Sequence, residues 1–123
     1  MTYTGLLLRE SLLDDGILAT LTVTKTEVWR DIPGRAAFQP ADWTGIWFSG
    51  DAAEAEAVAQ RLSAALDPRW YCNLMTQEHT RVIYGGRVFC YPRGDAAGRA
   101  AAQAHGRAMG IPERQLDWGE AYP

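Results

Sequence analysis

Lysine is almost missing from this 123-residue chain: Lys25 is the one lysine among twelve basic residues, the others being arginine. Cysteine and histidine are sparse as well, at two each. Two cysteines cannot supply a disulfide framework, and Cys72 and Cys90 are expected as free thiols in the core. The chain does not need such staples, because a domain of this length buries about two thirds of its unfolded surface. Cys72, His79, Cys90 and His105 lie too far apart in sequence to form Cys-x-x-Cys or His-x-x-x-His ligand pairs, so neither a metal nor a cofactor is expected.

Long apolar runs are absent too. No stretch approaches the roughly 20 residues that cross a bilayer. Residues 1–10 lack the basic region and apolar run of a signal peptide, so the chain reads as cytoplasmic. Nor is there a surplus of positive charge. Residues 1–66 hold five Lys/Arg against nine Asp/Glu, and residues 67–123 hold seven against six, for a formal net charge of −3. Neither half is basic enough to bind a nucleic-acid backbone by releasing counterions. The arginine skew fits a GC-rich bacterial source. Charged residues are otherwise interspersed, and disorder is expected only at residues 120–123.

What is present reads as one α+β domain spanning residues 1–123. Residues 51–66 form a helix: Asp51 is the cap, Glu54 completes a capping box, and Ala55, Val58, Ala59, Leu62, Ala65 and Leu66 make one apolar stripe. Asp67-Pro68 ends it. A second helix runs from Asp95 to about Met109, with Ala97, Ala100, Ala101, Ala104 and Ala108 as a small-residue face. Gly110, Ile111 and Pro112 supply its left-handed stop, hydrophobic contact and break.

The remainder has strand character. Residues 6–12 and 17–30 flank the turn Asp14-Asp15-Gly16 and suggest an N-terminal hairpin. The alternation slips near Lys25, which suggests a bulge. Residues 31–42 read as a loop, 43–48 as a strand, and 70–76, 81–84 and 87–91 as further strands, the last two joined by Gly85-Gly86. The fold expected is therefore a mostly antiparallel sheet of five or six strands with two helices on one face. Gly-Asp after an aromatic strand end opens both helices, so a duplicated βββα unit is one arrangement. A ferredoxin-like core with an added N-terminal hairpin is the alternative.

The segment from Gly86 to Asp95, closing with Gly110-Ile111-Pro112-Glu113-Arg114-Gln115-Leu116-Asp117-Trp118, resembles the C-terminal part of a small uncharacterised bacterial protein family. The resemblance implies no activity.

Candidate chemistry is thin. Glu78, His79 and Arg81 could form an acid–base set in a pocket, but adjacent strand residues point to opposite faces, and a solvated turn histidine is the simpler reading. His105 reads as a helix-surface residue. The helix N-termini carry their own carboxylates, Asp51 and Asp95, which disfavour an anion. Aromatic placement is more informative. Trp43 and Trp47 share one face of their strand while Ile46 and Phe48 share the other, so this strand needs cover on both sides. If both helices lie on one face, the tryptophan face needs the 31–42 loop, a partner subunit or a ligand. Trp43, Trp47 and Trp70 are accordingly the candidate binding or interface residues. The expectation is a small non-catalytic interaction or ligand-binding protein of bacterial cytoplasm, homodimeric, with no nucleic-acid or membrane partner. A small enzyme around Glu78, His79 and Arg81, or an immunity- or antitoxin-type inhibitor, are the alternatives.

Overall fold

A computed structural model describes residues 1–120 of the protein. In chain order its main elements are β1 (Thr2–Leu8), β2 (Thr22–Trp29), β3 (Trp43–Asp51), α1 (Ala55–Ala65), β4 (Tyr71–Met75), β5 (His79–Tyr84), β6 (Arg87–Pro92) and α2 (Ala96–Ala108). The strands make one open sheet in the order β2-β3-β1-β4-β5-β6, with every neighbouring pair antiparallel. This is the six-stranded α+β fold that the sequence pattern predicts. No described helix is long and apolar enough to cross a membrane.

The first helix follows its sequence closely. Asp51 accepts the Ala53 N–H at 2.9 Å and caps a 3-10 turn, Ala52–Glu54, from which α1 continues. All six residues of the expected stripe are buried. All but Ala65 pack on Tyr3, Leu7, Ile46, Phe48, Cys72, Leu74 and Ile83 of the sheet. Each fully buried leucine or valine there contributes about 1.5–3 kcal/mol.

The second helix corrects the expected layering: it packs on the opposite face of the sheet. Its core comprises Val82, Tyr84 and Tyr91 with Ala102 of α2 and with Ile111, Leu116 and Trp118 of the C-terminal segment. Val82 and Ile83 are strand neighbours, so they point to opposite faces and serve different helices. The physical reason is that β4 and β5 are apolar on both sides, and both sides need cover. The alanine face also proves to be the outer one. Ala97, Ala100, Ala101, Ala104 and Ala108 are exposed, whereas Ala102 and Gly106 are buried. Those alanines favour the helical backbone without packing. Gly106 is what fits against the aromatics, since a Cβ there would sit 2.6 Å from Leu116 and 2.7 Å from the Tyr84 hydroxyl. His105, expected on the surface, is half-buried between the rings of Tyr84 and Phe89 at 4.5 and 5.5 Å. Burial disfavours its charged form and lowers its pKa, with Arg87 adding to the effect. The end of α2 is as expected. Gly110 has φ 84°. Its N–H donates to Arg107 C=O and that of Ile111 to Gly106 C=O.

The N-terminal hairpin does not form. β3 lies between β1 and β2. Asp14 accepts the Gly16 N–H and caps a 3-10 helix, Asp15–Thr20, in place of a turn. Ile17, Leu18 and Leu21 then pack against the α1-side core. The βββα order occurs twice, but the pairing differs: β1 pairs β3 in the first half, while β4, β5 and β6 are successive hairpins. The ferredoxin-like alternative is not the observed topology either, because β6 precedes α2 and the helices lie on opposite faces. The bulge near Lys25 is present, between Val23 and Lys25.

At the C-terminus the Glu120 carboxylate accepts from Thr80 Oγ1 at 2.9 Å and pairs with Arg99 at 2.7 Å, so this residue is anchored rather than frayed. The rest of the segment expected to be disordered lies outside the described residues.

Of the two thiols, Cys72 is buried in β4 and Cys90 is exposed on the edge strand β6, which corrects its expected place in the core. Burial pushes the Cys72 thiol up, keeping it protonated. A thiol-reactive chromophore should therefore label one cysteine in the native protein and both after denaturation. Rapid labelling of both in the native state would contradict the burial of Cys72.

Candidate functional site

The face of the sheet opposite α1 is covered by α2 and the C-terminal segment over β4, β5 and β6. Towards β1, β3 and β2 the cover changes to loop residues 30–42. Aromatic contacts and hydrogen bonds hold this loop down. Trp70, which is 5% exposed, meets Phe38 edge-on at 6.2 Å and Trp43 at 5.2 Å. The Trp43 Nε1–H donates to Pro40 C=O at 3.0 Å. Gln39, itself buried, exchanges two amide hydrogen bonds with Gln115, at 2.9 and 2.7 Å. The last of these ties the loop to the 3-10 turn Glu113–Leu116.

Beneath the loop lies a cavity of about 360 Å³, walled by Trp29, Trp43, Trp70, Leu6 and Leu8. Arg69, Arg114 and Asn73 supply polar groups. A second cavity of about 780 Å³ opens on the same face beyond Leu6, between Trp47, Met75 and Trp118. Leu6, Tyr71 and Asn73 line both. Asn73 lies opposite Leu6 of β1 and Val82 of β5, in the middle of the sheet. Its Nδ2 is buried and has no hydrogen-bond partner.

The two arginines are not equivalent. Arg69 is committed: its guanidinium grips Asp67 at 2.9 and 3.1 Å and lies 4.4 Å over the Phe38 ring. That pairing holds the Asp67 carboxyl below its ordinary range. Arg114 is exposed, and among the described residues no carboxylate lies within the 4 Å of an ion pair. The phenol of Tyr71 donates to Gln115 C=O, and burial raises its pKa.

The tryptophans singled out from the sequence part company here. Trp43 and Trp70 sit together under the loop. Trp47 stands outside it, edge-on to Trp29 at 5.6 Å with the Lys25 ammonium 4.7 Å from its ring. Trp29, Asn73, Arg114 and the Gln39–Gln115 pair were not flagged by the sequence. Asn73 did leave a signal, as the polar residue between Tyr71 and Met75 on one face of a short strand. The Gln39–Gln115 pair joins residues 76 positions apart in the chain.

Glu78, His79 and Arg81 do not converge. Glu78 is exposed in the turn before β5, and the His79 backbone is fixed by Thr76. Arg81 pairs with Glu56 of α1 at 3.1 Å. None of the three lines either cavity. Among the described residues no three His, Cys, Asp or Glu side chains are grouped to hold a metal.

Compared with protein-family models, with curated proteins and with solved structures, the chain matches none.

Proposed function

We propose that the protein is a non-catalytic binder of a small planar molecule, held in the cavity between Trp29, Trp43 and Trp70. One observation carries this reading: Asn73 lines that cavity, and its Nδ2 is buried with an unused donor. Leaving a buried donor unpaired costs about 1–3 kcal/mol, which a ligand carbonyl or carboxylate in reach of Nδ2 would remove. The cavity volume lies within the range of small-ligand sites, about 300–1,000 Å³. Indole walls favour a flat, apolar ligand body. Arg114 at the rim favours an acidic group on it. The ligand class is therefore an aromatic carboxylic acid or a similar planar anion. The free thiols and arginine-rich composition suit a bacterial cytoplasm.

Titration with 2-naphthoate and indole-3-acetate, followed by tryptophan fluorescence, tests the reading. At least one of these acids should bind saturably to the wild-type protein. Asn73→Leu should weaken that binding by about tenfold, the value of one well-placed polar contact, while leaving stability equal or higher because the orphan donor is gone. Arg114→Gln should weaken carboxylates and spare neutral analogues. Failure of both acids to bind, or unchanged binding by Asn73→Leu, would end the proposal.

A further inference from the structure

The geometry points to β2 as a self-pairing edge: two copies of the chain join β2 to β2 antiparallel about a two-fold axis at Thr26, extending the sheet across the dimer. β2 ends the sheet, and seven of its eight residues are exposed. Among the described residues no strand lies on its outer side. Such an edge offers a row of backbone donors and acceptors to another strand, and proteins protect edges they keep single with proline, charge or short length. The opposite edge, β6, begins at Arg87 and ends at Pro92. β2 has neither proline nor glycine, and it exposes Val23 and Val28 at 44% and 51%.

Its two charges do not block the edge. Lys25 and Glu27 pair with each other at 3.2 Å along the strand. Lys25 leans over Trp47, and Glu27 accepts the Trp29 Nε1–H at 3.0 Å. Both side chains are thereby held over one face of the sheet.

Register follows from charge. An axis normal to the sheet keeps each residue on its own face, so a residue can oppose only a partner from that face, and the axis must pass through a residue. Centring on Lys25 sets lysine against lysine. Centring on Glu27 sets glutamate against glutamate. Centring on Thr26 sets Lys25 against the second copy's Glu27 twice and threonine against threonine. Only this last register is complementary, and directly opposed like charges disfavour the other two. The bulge leaves Thr24 out of register between Val23 and Lys25, so the regular ladder is short and centres on residues 25–27. The Trp29–Trp47 pair then lies beside the junction on each copy. This inference does not depend on the ligand site.

Light scattering and site-directed crosslinking test it on the full chain. The wild-type protein should scatter as a dimer at high concentration. In a Cys90→Ser background, Thr26→Cys should form a disulfide-linked dimer on mild oxidation, and Thr22→Cys, in the same strand but not opposite itself, should not. Lys25→Glu and Glu27→Lys should each weaken association by about tenfold or more, because both symmetry-related pairs turn repulsive. The double exchange should restore it. Circular dichroism of each variant separates lost association from lost folding. A wild-type monomer at the highest soluble concentration, a dimer indifferent to both single reversals, or a double exchange no tighter than the singles would overturn the proposal.

Discussion

Tyr84→Ala is expected to lower the free energy of unfolding by about 3–5 kcal/mol, the range for removing a large buried aromatic. Tyr84 is fully buried, and its ring meets Tyr71 at 5.8 Å, Phe89 at 5.9 Å and His105 at 4.5 Å. Its hydroxyl donates to the Ala102 carbonyl of α2 at 2.7 Å. On the other side its own carbonyl accepts the Ser63 hydroxyl of α1 at 2.7 Å. One residue at the end of β5 thus ties both helices to the sheet. Tyr84→Phe keeps the ring and loses one hydrogen bond, for which about 1 kcal/mol is expected. Urea unfolding of the two variants separates packing from the hydroxyl. An alanine variant within about 1 kcal/mol of wild type would mean that α2 is not docked on this face, a smaller loss than any core aromatic deletion gives.

Trp70→Ala is expected to cost a similar amount, about 3–5 kcal/mol, and to abolish the proposed binding of a planar acid as well. The indole is the surface on which Phe38 and Trp43 rest, and it walls the smaller cavity. Without it, loop residues 30–42 keep the Gln39–Gln115 amide pair and the Trp43–Pro40 bond, but lose their apolar seat. Limited trypsin digestion reads that loosening directly, since Arg35 is exposed in the loop. Cleavage there should accelerate in Trp70→Ala and much less in Trp70→Phe, which retains a ring against Trp43. Equal cleavage rates in wild type and Trp70→Ala would show that the loop is held without the tryptophan, and the cavity would lose its closing wall.

Local features were legible because they depend on residues close in the chain. The α1 stripe, the caps at Asp51 and Asp95, the glycine stop at Gly110 and the bulge before Lys25 all arise from interactions across a few residues. The α2 face was misread because alanine serves two ends. It promotes helix wherever it sits, so a row of alanines marks a helix without saying which side is buried. The N-terminal hairpin was misread for a related reason. Asp14-Asp15-Gly16 is good turn chemistry, but it is equally good cap chemistry, and the partner of β1 was settled by packing of Ile17, Leu18 and Leu21 on α1. At the candidate site, the two-sided character of β3 was visible in Ile46 and Phe48 against Trp43 and Trp47. Its cover was not visible, since the loop is closed by Gln115, on a turn far along the chain.

By itself, then, the order of residues determined six extended segments, two capped helices, a loop rich in turn residues and an indole-bearing strand apolar on both sides. These are consequences of backbone preference and of periods two and 3.6, which operate within a single element. Tertiary structure alone decided that the helices take opposite faces, that β3 separates β1 from β2, and that Asn73, with its Nδ2 unpaired, lines the same cavity as Trp43 and Trp70. Those outcomes depend on which surfaces meet across the sheet, and such meetings minimise exposed apolar area for the whole chain at once.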